Sequence, residues 1–99
     1  HDPAEEDNIK RHRDDRYTVK ARTPIEEFNE YFHTNWEAKD YETIGGFIIH
    51  ELGHLPHRGE ELEFSNFDFK ILRADRRRVR LVRVIRKELV SKESLAGSN

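Results

Sequence analysis

A five-residue motif in the middle of the chain has the residue types and the spacing of a zinc-hydrolase site. Residues 50–54 read HELGH and match the pattern H-E-x-x-H. In that chemistry two histidines one helical turn apart bind Zn²⁺, and the glutamate activates a water molecule on the metal. A third ligand is also required, and Glu60 is the candidate further along the chain. A zinc hydrolase acting through His50, Glu51 and His54 is therefore one hypothesis.

The sequence around this motif argues against such a site. Gly53 and Pro56 predict that the helix ends at or before His54, so the two histidines would not share a helical face. On a helical projection Glu51 falls beside Phe47, which predicts a carboxylate at the edge of the core rather than a general base. The chain also has few residues from which to build a substrate cleft. We therefore expect no catalytic residues and no metal ligands.

A cluster of basic residues near the end of the chain is a second candidate. Such a cluster can bind phosphate, nucleic acid or acidic lipid. Alternatively, its side chains form a solvated strand face and pair with the many Asp and Glu residues elsewhere. We favour the second interpretation and expect no nucleic-acid partner, because no aromatic residues that could stack on bases lie among the cations. The cluster consists of Arg73, Arg76, Arg77, Arg78, Arg80, Arg83, Arg86 and Lys87.

Two neighbouring glycines are a third candidate. Gly45 and Gly46 precede an apolar run, and glycines at a helix N-terminus can cradle a phosphate group. Neither G-x-G-x-x-G nor a following Lys-Ser/Thr is present, so close packing of a helix against a sheet is the favoured explanation.

Composition predicts one small domain between two polar ends. The chain has 99 residues, of which 38% are charged and 34% apolar, and its net charge is −2. Residues 1–16 are predicted to be a flexible linker and residues 91–99 a disordered tail, which leaves 17–90 as the domain. Methionine is absent, so we expect a piece of a longer protein or a processed product, and the absence of cysteine excludes disulfides. No apolar run reaches the ~20 residues that cross a bilayer.

Two helices are predicted within this domain. The first begins with Thr23 as N-cap, Pro24 at the first helical position and Glu26 completing a capping box. The second runs over 43–52, and Gly53 is predicted to end it in the left-handed conformation.

The remaining signals are those of strands. A first strand is predicted at 17–21, and a hairpin turning at 65–66 places Phe64 opposite Phe67. The apolar pattern of a last strand, 79–86, changes parity, which predicts a bulge or apolar cover on both faces of the strand. The chain is therefore predicted to be an α+β domain, with two helices packed on a mostly antiparallel sheet of about four strands.

Several blocks in a consistent order make the chain similar to a known family. From about Arg16 to Val84 the chain resembles the CorC/HlyC transporter-associated domain. The blocks are 22–29 (RTPIEEFN), 43–46 (TIGG), 52–60 (LGHLP and RGE), 69–79 (FKILRAD and RRV) and 82–84 (VRV).

This resemblance implies a role in magnesium and cobalt efflux. It implies a non-catalytic accessory or regulatory domain, on the cytoplasmic side of a membrane protein whose other parts are a membrane region and paired CBS modules. These parts of the parent chain are the expected partners, together with the divalent cations that the parent handles and a second copy of the domain. The fold implied is similar to the FAD-binding domain of the para-cresol methylhydroxylase type. A flavin or adenine nucleotide is therefore the alternative ligand, although no cofactor is expected from the residues themselves.

Two positions depart from the family pattern. Ser65-Asn66 replaces a glycine-rich turn, and His54 replaces a common arginine, which creates the HELGH string.

The residues expected to carry an interaction are Arg58, Asp75, Arg77, Arg78 and Arg80, with Asp75 also capping its own turn.

Overall fold

Seven elements run between residues 7 and 87, the part of the chain that the computed structural model describes. They are β1 (Ile9–Arg13), β2 (Arg16–Lys20), α1 (Ile25–Phe32), α2 (Ile44–Leu52), β3 (Glu61–Phe64), β4 (Phe67–Ala74) and β5 (Val79–Arg86). The strands form one sheet in the order β1-β2-β5-β4-β3, and each neighbouring pair is antiparallel. No helix in the described range is long and apolar enough to cross a membrane.

Both helices bury the same face of the sheet. Alternate strand residues such as Tyr17 and Val19 are buried, and their register partners across β5 are Val84 and Val82. These side chains form one apolar cluster with the buried residues of α1 and α2, including Phe28. The predicted α+β architecture, with two helices on an antiparallel sheet, is confirmed.

β1 lies in the segment that composition assigned to a flexible linker, and that prediction is wrong for its residues. Ile9 is only 7% exposed and pairs with Val19, while the other four residues of β1 are exposed. A charged edge strand with one apolar residue carries almost no compositional signal. The sheet therefore has five strands rather than about four, and the predicted strand 17–21 is β2, displaced by one residue.

α1 forms where a helix is predicted, but its cap differs from the prediction. Pro24 is the N-cap, and no side chain caps the helix. Thr23 is fully buried, and its hydroxyl donates to the Lys20 carbonyl oxygen at 2.6 Å. The predicted capping box of Thr23 and Glu26 is therefore wrong, because the Thr23 hydroxyl is hydrogen-bonded within the turn after β2.

The limits predicted for α2 are confirmed. Thr43 is its N-cap, and Thr43 Oγ1 accepts a hydrogen bond from the Gly46 N–H. Gly53 ends the helix with φ 81°, and its N–H donates to the Ile49 carbonyl oxygen at 2.8 Å.

The hairpin register is also as predicted. Phe64 pairs with Phe67, and the like-charged Glu63 and Asp68 face each other. Lys87 bridges these two carboxylates, so a cation from beyond β5 offsets their repulsion. The predicted irregularity in the last strand is present as register shifts between β4 and β5.

An aromatic cluster fills the space between the helices and the sheet. All six phenylalanines of the chain take part, together with the single tryptophan. The Trp36 ring centre lies 4.9 Å from that of Phe28 in α1 and 5.2 Å from that of Phe47 in α2. It also lies 5.0 Å from Phe64 in β3. The loop between the helices is thus anchored in the core by Trp36 and by Tyr41, whose ring centre lies 5.6 Å from that of Phe47.

The first turn of α2 rests directly on the end of β2. The Gly45 N–H donates to the Ala21 carbonyl oxygen at 2.8 Å. A Cβ atom on Gly45 would lie 3.0 Å from Ala21 Cβ and 3.3 Å from Ala21 O. The packing explanation predicted for the two glycines therefore applies to Gly45, where backbone meets backbone.

We expect Gly45→Ala to destabilise the domain by about 1–3 kcal/mol, because the added methyl group forces α2 away from β2. The free energy of unfolding, measured by urea denaturation, checks this. Gly46→Ala is the matched control: its Cβ would meet a side-chain atom, Tyr41 Cβ at 3.0 Å, whereas the Gly45 Cβ would also meet backbone, Ala21 O at 3.3 Å. There the ~1 kcal/mol gained in helix propensity offsets the crowding. Equal or greater stability of Gly45→Ala would contradict the close-packing explanation.

Candidate functional site

The HELGH residues do not share one helical face. His50 and Glu51 are exposed residues of α2, whereas the helix ends at Leu52 and the chain turns away at Gly53. His54 therefore lies beyond the helix, as the sequence predicts. Glu51 follows the buried Ile44, Phe47 and Ile48 on the same side of α2, as the projection predicts, but it is itself exposed.

Glu60 is occupied by other contacts rather than aimed at a shared metal. One of its carboxylate oxygens lies 2.9 Å from His54 Nε2, and the other accepts the His57 backbone N–H. His54 Nδ1 is also 3.2 Å from the Leu52 carbonyl oxygen, so both ring nitrogens face acceptors. The hydrogen bond to Glu60 accordingly raises the pKa of His54. The His57 N–H, followed by His54, lowers the pKa of Glu60. Nowhere in residues 7–87 do three His, Asp or Glu side chains gather as a metal site would require.

Asp75 organises the turn between β4 and β5. Its Oδ1 accepts the backbone N–H groups of Arg77 at 2.8 Å and Arg78 at 3.0 Å. Its Oδ2 accepts Arg80 Nε at 2.8 Å, and its own N–H donates to the Arg78 carbonyl oxygen. The Arg77 N–H, then Arg80, then the Arg78 N–H lower the pKa of Asp75 to about 2. The predicted capping role of Asp75 is confirmed.

The structure distributes the predicted interaction residues around this turn. Arg58 and Asp75 border one concavity of about 320 Å³. Arg78 and Arg80 border a larger cleft of about 590 Å³. Arg77 borders neither, and its side chain is exposed.

Part of the basic cluster is paired, as the solvated-face interpretation predicts. Arg80 pairs with Asp75. Arg86 pairs with Asp15 at 3.2 Å, and its guanidinium lies over the Tyr17 ring at 5.8 Å. For the remaining arginines no ion pair is found among residues 7–87; they are Arg73, Arg76, Arg77, Arg78 and Arg83.

The larger cleft lies where the start of α2 meets the ends of β2, β4 and β5. Sequence reasoning noted Gly45, Gly46 and the late arginines separately, but it missed Lys20 and Arg22, which line the same cleft. The only signal in the sequence was that Lys20 and Arg22 stand two positions apart, as alternate residues at the end of the strand predicted at 17–21. Their convergence with residues more than fifty positions later depends on the pairing of β2 with β5.

Comparison with known proteins connects this architecture to one family. Residues 10–88 match the family model of the transporter associated domain CorC_HlyC. The magnesium and cobalt efflux protein CorC of Buchnera aphidicola subsp. Acyrthosiphon pisum is 42% identical over 79 residues. The alignment covers 80% of this chain and 27% of that protein, so the chain spans about a quarter of its relative's length.

Solved structures share the fold. The Mg²⁺ and Co²⁺ transporter (CorC) associated region from Neisseria meningitidis is 40% identical, with a TM-score of 0.78 over 81% of this chain and 99% of that one. The transporter associated domain from a CBS domain protein of Porphyromonas gingivalis is 20% identical. Its TM-score is 0.71 over 82% of this chain and 99% of that one, which shows the same fold.

The depressed pKa of Asp75 predicts a specific acid titration. A carboxyl whose folded-state pKa is lowered from 3.8 to about 2 stabilises the fold above about pH 4, and that contribution is lost as the pH falls through about 2. We expect carboxyl ¹³C NMR to give a midpoint near the lower value. Arg80→Gln should raise the midpoint while leaving it below 3.8, since the Arg77 N–H is the largest cause.

Arg76→Gln is the matched control, because Arg76 is not among the hydrogen-bond partners of Asp75. An unshifted Asp75 in the wild-type chain, or an Arg80→Gln midpoint identical to wild type, would show that the turn is not held in this way.

Zinc titration checks the interpretation of HELGH. Because α2 ends before His54, we expect calorimetry to show only weak Zn²⁺ binding. His50→Ala should leave the isotherm unchanged, as should His12→Ala, which alters a histidine outside the motif. A tight one-to-one site abolished by both His50→Ala and His54→Ala would restore the hydrolase hypothesis.

Proposed function

Because the chain belongs to the CorC_HlyC family of transporter associated domains, we propose that it is a non-catalytic accessory domain that modulates ion transport by a magnesium and cobalt efflux protein. The family match over residues 10–88 carries this proposal and agrees with the resemblance evident in the sequence. The name of the Buchnera relative supplies the ions and the direction of transport.

The proposed partners are other parts of the same parent chain. Since this chain corresponds to 27% of the Buchnera relative, most of such a protein lies outside it. We assign the ion path to a membrane region in that remainder, and place the domain on the cytoplasmic side beside CBS modules. The Porphyromonas neighbour, which comes from a CBS domain protein, supports this arrangement.

The Asp75 turn is the proposed contact surface, formed by Arg58, Asp75, Arg77, Arg78 and Arg80. The Asp75 carboxylate accepts hydrogen bonds from the backbone N–H groups of Arg77 and Arg78. The backbone that carries these two cations is therefore fixed. All five residues are exposed. A preorganised basic turn loses little conformational entropy when it meets an acidic surface.

A transport measurement tests both parts of this proposal. In cells that depend on the parent protein for cobalt tolerance, removing residues 9–87 should change the rate of Co²⁺ efflux. Arg77→Glu should also change it while leaving the fold intact, because an exposed charge contributes less than about 1 kcal/mol to stability. Thermal melting of the purified domain checks the fold.

Lys10→Glu is the matched control, since it reverses an exposed charge on the edge strand far from the turn in sequence. Unchanged efflux after removal of the domain would exclude a modulating role. Equal effects of Arg77→Glu and Lys10→Glu would exclude the turn as the contact surface but not the role of the domain.

A further inference from the structure

The larger cleft is lined by cations, and none of its lining residues within 7–87 carries a carboxylate. Its volume is about 590 Å³, within the range of small-molecule sites. Five of its lining residues are basic, namely Lys20, Arg22, Arg73, Arg78 and Arg80. They come from three separate parts of the chain, which the sheet brings together at one end.

Most of this positive charge is not neutralised within the described structure. Arg73 and Arg78 form no ion pair among residues 7–87, and Arg22 donates only to the neutral amide of Asn8, at 3.1 Å. Arg80 shares its charge with Asp75, which does not line the cleft. Converging guanidinium groups repel one another, and an anion placed between them removes that repulsion.

The start of α2, which also lines the cleft, adds a weaker attraction for anions. The first turn of α2 lines the cleft through Thr43, Gly45 and Gly46, so the positive end of the helix dipole points toward it. The amides of Gly45 and Gly46 already donate to Ala21 O and Thr43 Oγ1. An anion would therefore be held by the arginine side chains rather than by the helix backbone.

The cleft also has an apolar part. Ile49 and Leu81 line it and are partly exposed, while Val79, which also lines it, is buried. A ligand with an organic portion beside its negative charge would cover these side chains.

We propose that this cleft binds a small polyphosphate anion, either free or as the charged part of an organic phosphate. Guanidinium forks bind phosphate oxygens in a bidentate manner, and several arginines around one cavity match several phosphate groups. The cavity volume favours a small molecule over an extended polymer. This inference does not depend on the proposed transport role.

The test is an NMR titration of the chain with tripolyphosphate and with ATP, at physiological ionic strength and without divalent cations. We expect saturable one-to-one binding, with the largest amide shifts at Ala21, Gly45 and Val79. Arg73→Gln and Arg78→Gln should each weaken binding about tenfold, since each removes a charge-assisted contact. If ATP binds more tightly than tripolyphosphate, the apolar part of the cleft contacts the organic group of the ligand. If the two bind equally, the cleft recognises the phosphates alone. Both results support the proposal.

Arg76→Gln and Arg77→Gln are matched controls, because these neighbours in the same turn do not line the cleft. They should bind as the wild-type chain does, and circular dichroism should show that all four variants fold. Absence of saturation at millimolar ligand would overturn the proposal. It would also be overturned if all four variants weakened binding equally, or if an acidic peptide of matched charge bound as tightly as tripolyphosphate, since either would indicate a diffuse basic surface.

Discussion

The contact between Gly45 and Ala21 is the constraint on which the arrangement of this domain depends. The hydrogen bond between their backbones is 2.8 Å long, and the neighbouring Ile44 N–H donates to the Thr23 carbonyl oxygen at 2.9 Å. Together they join the start of α2 to the end of β2. The helix can then lay Phe47 on the sheet, and Trp36 fills the remaining space between the two helices. A side chain at position 45 would open this junction.

The same junction decides what the chemistry-bearing residues can do. With its N-terminus held against β2, α2 presents Ile44, Phe47 and Ile48 to the core and leaves His50 and Glu51 in solvent. A histidine pair would need the helix to continue through His54, but the left-handed Gly53 ends it. Glu60 then holds the following loop through His54 and His57. The HELGH residues thus form the end of α2 and the start of a loop that Glu60 holds, rather than a metal site.

Charge is distributed so that a chain with more charged than apolar residues can still fold. Repulsion between Glu63 and Asp68 is offset by Lys87, and Asp75 neutralises Arg80 while organising its own turn. In the described part of the structure, the cations without an ion pair include arginines at the α2 end of the sheet and at the Asp75 turn. Both proposals, a contact with the parent protein and an anion site, concern these places because uncompensated charge there is available to a partner.

The sequence alone determined the features that depend on neighbouring residues. The ends of α2 follow from Thr43 and Gly53, the hairpin register follows from the two-residue period around 65–66, and the family follows from ordered blocks. Tertiary structure decided the rest. β1 exists because the edge of β2 and a buried place for Ile9 are available, and Thr23 serves the turn after β2 rather than a helix cap. The basic cleft joins residues 20–22 to residues 73–81. Local hydrogen bonds and periodicity act over a few residues and are visible in sequence, whereas strand pairing and cavity walls arise only when distant segments pack together.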